Sequence, residues 1–195
     1  QLIFKTSYSI VKNFRMEVRT GRHKKIAVED FAQLSGATRD TKYNSSMEKV
    51  TKIVEQFCTF PVVEKVKLFE LTLFNFLIGN EDMHLKNFSL IRINNKIEFT
   101  PFYDLVNTTI ILNRVQEEIA LPIRGRKNNL RKSDLVDYFG KEVCGLNEKI
   151  VTQTMEKFES IIDDWIDLIE ISFLSETKKE EYMSLLGERK AKIFL

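Results

Sequence analysis

Gly79-Asn80-Glu81-Asp82-Met83-His84-Leu85-Lys86-Asn87 decides how the rest of the chain is read. It follows a long apolar run, Val66 to Ile78, and precedes the alternating segment Phe88-Ser89-Leu90-Ile91-Arg92-Ile93. The first reads as a buried helix and the second as a strand. Gly79 ends the helix, since only a residue at ease in the left-handed region closes a helix this sharply. Between helix and strand lies a polar loop with a carboxylate, an imidazole, an ammonium and an amide.

Upstream, Pro61 breaks one helix and starts the next. The earlier helix is capped by Ser46 and carries Val50, Ile53, Val54 and Phe57 on one face. Thr38 to Ser46 is a polar loop. Before it, Ile26-Ala27-Val28 leads into a brief helix, Glu29 to Leu34, stopped at Gly36. Ile3 to Phe14 reads as one or two strands. Arg15, Arg19, Arg22, His23, Lys24 and Lys25 then form a basic connection, read as a solvated hairpin, with nucleic acid or an acidic partner as the other option.

Downstream, Phe88 to Ile93 and Ile97 to Thr100 form a hairpin around Asn94-Asn95, residues that tolerate positive φ. Thr108 to Leu112 and Glu118 to Ile123 read as a second strand pair, followed by a basic turn from Arg124 to Asn129. Ser133 is expected to cap a helix from Asp134 to Phe139, and Asn147 one running to about Phe173. The latter bears a core stripe through Phe158, Ile162, Trp165 and Ile169. A last helix covers about Glu176 to Ile193.

The chain has 195 residues, 43% hydrophobic and 30% charged, with fifteen phenylalanines against seven glycines and three prolines. That composition suits a packed, helix-rich globular body. The expected fold class is α+β and mainly helical. Residues 1–195 are read as one domain, with edge strands and a basic connection over 1–28 and a helical lobe over 29–195. A formal net charge of +2 identifies no partner. No run of about 18 apolar residues suggests a membrane span and no export signal is visible, so the expected location is cytoplasmic. Cys58 and Cys144 have no metal-ligand spacing and are read as reduced core thiols.

Asp82, then Asn87, then a second carboxylate in Pro101-Phe102-Tyr103-Asp104-Leu105 is a layout suited to phosphoryl transfer. That chemistry asks for placement and charge neutralisation rather than a covalent intermediate. Asp82 suits the base that accepts the hydrogen bond of an attacking hydroxyl. Asn87 and Asp104 suit hard-oxygen ligands of Mg²⁺, because the hairpin between them can return both to one edge. His84 and Lys86 lie between base and ligand, where a donor or cation could steady a phosphate. The bland alternative is a loop whose carboxylates only cap turns.

At these residues the chain resembles the HipA family, the Ser/Thr protein kinases of bacterial toxin–antitoxin modules. Gly79 to Ser89 is similar to that family's catalytic-loop motif and Pro101 to Leu105 to its metal motif. Tyr8 to Arg15, Glu29 to Gln33, Lys42-Tyr43 and Leu121 to Lys127 also resemble family segments. The resemblance implies a bilobal kinase-like fold of which this chain is mainly the C-terminal lobe, with ATP and Mg²⁺ as cofactors. It implies Asp82 as catalytic base, His84 as a phosphate contact, Asn87 and Asp104 as Mg²⁺ ligands, and Glu29 and Phe31 holding the adenine edge through backbone groups. It also implies a translation protein such as an aminoacyl-tRNA synthetase as substrate, and a helix-turn-helix antitoxin that carries operator DNA. The phosphate loop and nucleotide lysine of the small lobe are not found in this sequence. That lobe is expected elsewhere, on a longer protein or a second polypeptide, and this chain alone is expected to be incomplete for activity. Two other readings stay open. One is a lipid-kinase-like enzyme, whose loop also runs Asp-x-His-x-x-Asn. The other is a non-catalytic pseudokinase lobe that docks an antitoxin or operator DNA through the basic stretches Arg15 to Lys25 and Arg124 to Lys132.

Overall fold

A computed structural model of the chain describes residues 26–112 and 117–195. The strands expected over Ile3 to Phe14 and the basic connection from Arg15 to Lys25 lie outside the described residues. The expected mainly helical α+β class is what the described residues adopt, with a small three-stranded sheet beside the helices.

The first strand, β1 (Val28–Asp30), runs straight into a one-turn helix, α1 (Phe31–Leu34). Asp30 makes the switch: its carboxylate accepts from Gln33 N–H while the Gln33 side chain accepts from Asp30 N–H, a reciprocal capping box. Glu29 and Asp30 therefore belong to the strand, not to the helix expected there. The second helix, α2 (Met47–Phe57), is capped by Ser46 and buries Met47, Val50, Thr51, Ile53 and Val54. The third, α3 (Pro61–Ile78), has Pro at its first position and ends at Gly79 in the left-handed region (φ 73°). From Leu68 onward it is buried almost all round, as its continuous apolar run requires.

A 3-10 turn, Leu85–Asn87, leads from the loop into β2 (Ser89–Ile93) and β3 (Lys96–Phe99). The sheet order is β1-β2-β3, antiparallel throughout, with Glu29 opposite Leu90 and Leu90 opposite Phe99. Asn94 and Asn95 both take positive φ (49° and 63°), the primed turn that matches the twist of a tight hairpin. Thr59 closes the outer edge of β3 by giving its N–H to Ile97 O (2.9 Å) and taking Ile97 N–H on its hydroxyl (2.8 Å).

The second strand pair does not form. Thr109–Leu112 is a helical turn, α4, because Asn107 Oδ1 accepts from Ile110 N–H (3.1 Å) and the N–H groups of Thr108 and Thr109 both donate to Gly79 O. Glu118 to Ile123 is extended but joins no sheet: its backbone bonds are to its own return (Glu118 N–H to Lys127 O, the Ile123–Arg126 bridge) and from Met47 N–H to Pro122 O. It is a buried connection without strand alternation, with Glu118, Ile119, Ala120, Leu121 and Ile123 all inside.

Nor does Ser133 cap an α-helix. Ser133–Val143 is a π-helix without a side-chain cap, and buried Asp134 turns back to accept from Arg131 N–H (3.2 Å). The wide turn sets Gly140 against Phe69, where a Cβ would come within 2.8 Å of the ring. The Asn147-capped helix α5 (Glu148–Glu170) stops short of Phe173, which is fully exposed, and Ser175 caps α6 (Glu176–Phe194). One apolar core joins α1, α2, α3, the loop, the π-helix, α5 and α6, with Leu68, Phe69, Phe76, Leu77, Leu121 and Phe139 among its fully buried members.

Candidate active site

The site lies where the end of α3, the 3-10 turn and the segment after β3 meet. Asn80 sets it up. Buried at the mouth of α3, its amide N–H₂ donates to Asn75 Oδ1 (2.8 Å) and to Asp104 O (3.0 Å), and its Oδ1 accepts from Asp82 N–H (3.2 Å). One side chain thus fixes the base-bearing loop relative to the second carboxylate. Asn80 stands within the Gly79 to Asn87 loop, but as an uncharged amide beside a helix end it has no residue signature of this role.

Asn87 makes the second link. Its amide donates to Asp82 O (2.9 Å) and to Asp104 Oδ2 (3.1 Å). Asp104 has φ +58°, left-handed geometry that a non-glycine residue adopts at a cost and that clusters at functional sites. Tyr103 pins the same segment from beside it, its hydroxyl lying 2.7 Å from Lys86 O and 2.6 Å from Ser89 Oγ. On the far side, Thr108 Oγ1 accepts from Glu81 N–H (2.8 Å) and the Thr109 hydroxyl lies 2.9 Å from Gly79 O and 2.7 Å from Glu81 Oε1. Burial pushes the Glu81 carboxyl up, against the pull of the Thr109 hydroxyl.

The carboxylate of Asp82 is half exposed and accepts from the Tyr43 hydroxyl. Burial and this contact push the Tyr43 phenol up to about 12, so it is a neutral donor. His84 is buried; its Nε2 sits 2.6 Å from Lys42 Nζ and 4.0 Å from Asp82 Oδ1. Burial holds the imidazole below its ordinary pKa, and Lys42 adds to that while Asp82 opposes it. Its Nδ1 is buried and unpartnered among the described residues, an orphan of the kind that needs explaining. The ring edge faces Tyr43 at a centroid distance of 5.0 Å.

Asp82, His84, Asn87 and Asp104 are therefore brought together. Lys86 is not part of this cluster by its side chain, which is exposed and pairs with no described residue; its carbonyl is what Tyr103 holds. Glu29 lies in β1, whereas the Phe31 ring is fully buried between Phe88 and Phe99. The N–H of Phe31 donates to Phe88 O (2.9 Å) and its carbonyl accepts from Ser35 (N–H 3.1 Å, hydroxyl 2.6 Å). Both backbone groups of Phe31, implied by the resemblance as an adenine contact, are thus engaged within the fold. By antiparallel alternation Glu29 also faces β2, and the outward backbone groups of β1 are those of Val28 and Asp30.

Lys42-Tyr43 resembles a family segment, but residue chemistry alone shows only a polar loop, since their contacts lie 42 and 39 residues further along the chain.

The fold and this loop together define a kinase-like C-terminal lobe. The chain belongs to the family of HipA-like C-terminal domains, whose model matches residues 3–166. It is 28% identical over 157 residues to Y4mE of Sinorhizobium fredii, covering 74% of this chain and 37% of that protein. It is 28% identical over 116 residues to the serine/threonine-protein kinase toxin HipA of Shewanella oneidensis, covering 60% of this chain and 23% of that protein. Among solved structures, it shares its fold with the Shewanella oneidensis HipA in complex with HipB and operator DNA. The TM-score is 0.73 at 22% identity, over 89% of this chain and 46% of that one. The proinflammatory kinase CtkA of Helicobacter pylori is similar at a TM-score of 0.58 and 19% identity, over 88% of this chain and 70% of that one. The chain thus spans about a third of the length of the first of these curated relatives, at 37%.

Proposed function

We propose that this chain is the catalytic-loop lobe of an ATP- and Mg²⁺-dependent protein serine/threonine kinase of the HipA toxin type. The observation that carries the reading is the closed link from Asp82 through Asn87 to Asp104, two motifs 17 residues apart joined by one amide. A base, an amide and a carboxylate on one edge are what phosphoryl transfer asks of a protein.

The donor set fits the metal. Among the described residues no group of three or more His, Cys, Asp or Glu could form an all-protein cage. One carboxylate and one amide oxygen suit Mg²⁺, which keeps waters and shares its shell with phosphates. Asp104 and Asn87 would hold it, and when bound it supplies positive charge to the phosphate oxygens. Asp82 would take the hydrogen bond of the acceptor hydroxyl, which Tyr43 supplies in this structure. Asn80 keeps Asp82 and Asp104 in register. The adenine edge would lie along β1, at the outward backbone groups of Val28 and Asp30.

By the same reading the whole protein acts on a protein of the translation apparatus, in the cytoplasm, and is restrained by a helix-turn-helix antitoxin bound to operator DNA. The small lobe comes from the rest of the protein or from a second polypeptide. No helix among the described residues is long and apolar enough to cross a membrane.

The test is Asp82→Asn in the full-length protein. Phosphate transfer to protein should fall by at least about a hundredfold, the usual weight of a positioned base. Circular dichroism and nucleotide binding should be unchanged. Transfer at the wild-type rate in this variant would refute the assignment.

A further inference from the structure

We propose that Lys42, from the loop before α2, is the cation that meets the transferring phosphoryl group. This rests on the kinase reading above and goes beyond it, since neither the catalytic-loop motif nor the metal motif contains Lys42. Phosphoryl transfer needs positive charge beside the base, and Lys86 was the sequence's only offer inside the loop. In the structure Lys86 projects into solvent. His84 does not supply the charge either. A lysine ammonium has only donors, so the 2.6 Å contact between Lys42 Nζ and His84 Nε2 makes the imidazole an acceptor. His84 then works as the cradle of a cation rather than as the cation.

Lys42 is held by its neighbours from three sides. Its carbonyl accepts from Leu85 N–H (3.3 Å), which ties the loop backbone to the catalytic loop. Its ammonium sits against His84 and lies 4.9 Å from the centroid of the Tyr43 ring. Tyr43 in turn donates to Asp82. No carboxylate among the described residues pairs with this ammonium at salt-bridge distance, although His84 Nε2 itself is 4.0 Å from Asp82 Oδ1. A half-buried ammonium, oriented by an imidazole and left without a counter-ion next to the base, is suited to an anion that arrives with the substrate. The two adjacent residues Lys42 and Tyr43 thus serve the two ends of one reaction line, phosphate and acceptor hydroxyl.

A contact to the γ-phosphate has a signature that a merely structural lysine lacks: it distinguishes nucleoside triphosphate from diphosphate. In the full-length protein, Lys42→Met should weaken binding of Mg²⁺–AMP-PNP about tenfold by calorimetry and leave Mg²⁺–ADP within about twofold. Phosphate transfer should fall about a hundredfold. Lys42→Arg, which keeps the charge, should regain most of the AMP-PNP affinity, and Lys52→Met on exposed α2 surface should match wild type. Retained ADP affinity reports that the variant is folded; should Lys42→Met unfold, Lys42→Gln carries the same comparison. The inference is overturned if Lys42→Met binds AMP-PNP and transfers phosphate like wild type, if both nucleotides weaken equally, or if the triphosphate-specific loss falls on Lys86→Met instead. Wild-type protein that neither binds AMP-PNP nor transfers phosphate would remove the kinase reading itself, and this inference with it.

Discussion

Gly79 shows how much one position can carry. Its φ of +73° closes α3, and its carbonyl accepts from Thr108 N–H and Thr109 N–H, so the last turn of the helix also anchors the segment that follows Asp104. There is no room for a side chain: a Cβ would sit 2.5 Å from Leu185 Cδ2 and 2.9 Å from Thr109 Oγ1. Left-handed strain and overpacking therefore add, and Gly79→Ala should lower stability by about 2–4 kcal/mol. Urea unfolding measures it, and a loss below about 0.5 kcal/mol would mean the helix end has rearranged. Residues of this kind were legible because their chemistry is local. Gly79 at a helix end, Ser46 and Asn147 at helix starts and Asn94-Asn95 in a hairpin each satisfy backbone groups within a few positions. The roles of Asn80, Lys42 and Tyr43 in the site were not legible because the contacts that define them, to Asp104, His84 and Asp82, span 24 to 42 residues.

The element whose role the sequence hid most is α6. Its apolar positions promise a packing helix, which it is, but its contribution is the buried ion cluster around Glu118. Glu118 Oε1 lies 2.9 Å from Arg189 Nη1 and 2.7 Å from Lys192 Nζ, and Oε2 accepts from Leu130 N–H (2.7 Å). Arg189, almost wholly buried, also stacks over the Phe76 ring at 4.6 Å on the last turns of α3. So α6 clamps both the connection that was misread as a strand and the helix that delivers the catalytic loop. In sequence, Glu118 stands in an alternating segment where a glutamate reads as outward. In the fold its cations come from more than 70 residues further on. Glu118→Ala should cost about 3–5 kcal/mol by leaving Arg189 buried without its ion-pair partner. Glu118→Met with Arg189→Met should cost less than Glu118→Ala alone, because no charge is then stranded. If the double variant is the less stable in denaturant unfolding, the pair is net stabilising and the clamp is electrostatic rather than steric.

At the scale of the molecule, α2, α3, the π-helix, α5 and α6 share one core, while the family's matched segment stops at residue 166, before α6 begins. The helix that braces the catalytic loop thus lies beyond the matched segment. The mainly helical class, the hairpin and the loop's place between them were legible from apolar periodicity. A helix from Asp134 to Phe139 was legible in the same way, but not its π form or its run to Val143, because a wider hydrogen-bond step has no residue signature of its own. Two thiols allow the cooperativity of this shared core to be measured. Cys58 follows α2 and Cys144 follows the π-helix, each giving its N–H back to the helix it ends, to Val54 O and Phe139 O. Both are buried and unpaired, and burial pushes each thiol up to about 12. A thiolate is the reactive form, so neither should label with an aromatic disulfide reagent at mild pH in the folded state. If the core opens as one unit, both should become reactive along the same urea curve that circular dichroism follows. Labelling of Cys58 without denaturant, with Cys144 still protected, would show instead that the end of α2 opens by itself. The Lys42–Tyr43 loop, which leads into α2, would then ride on a locally unstable element rather than on the common core.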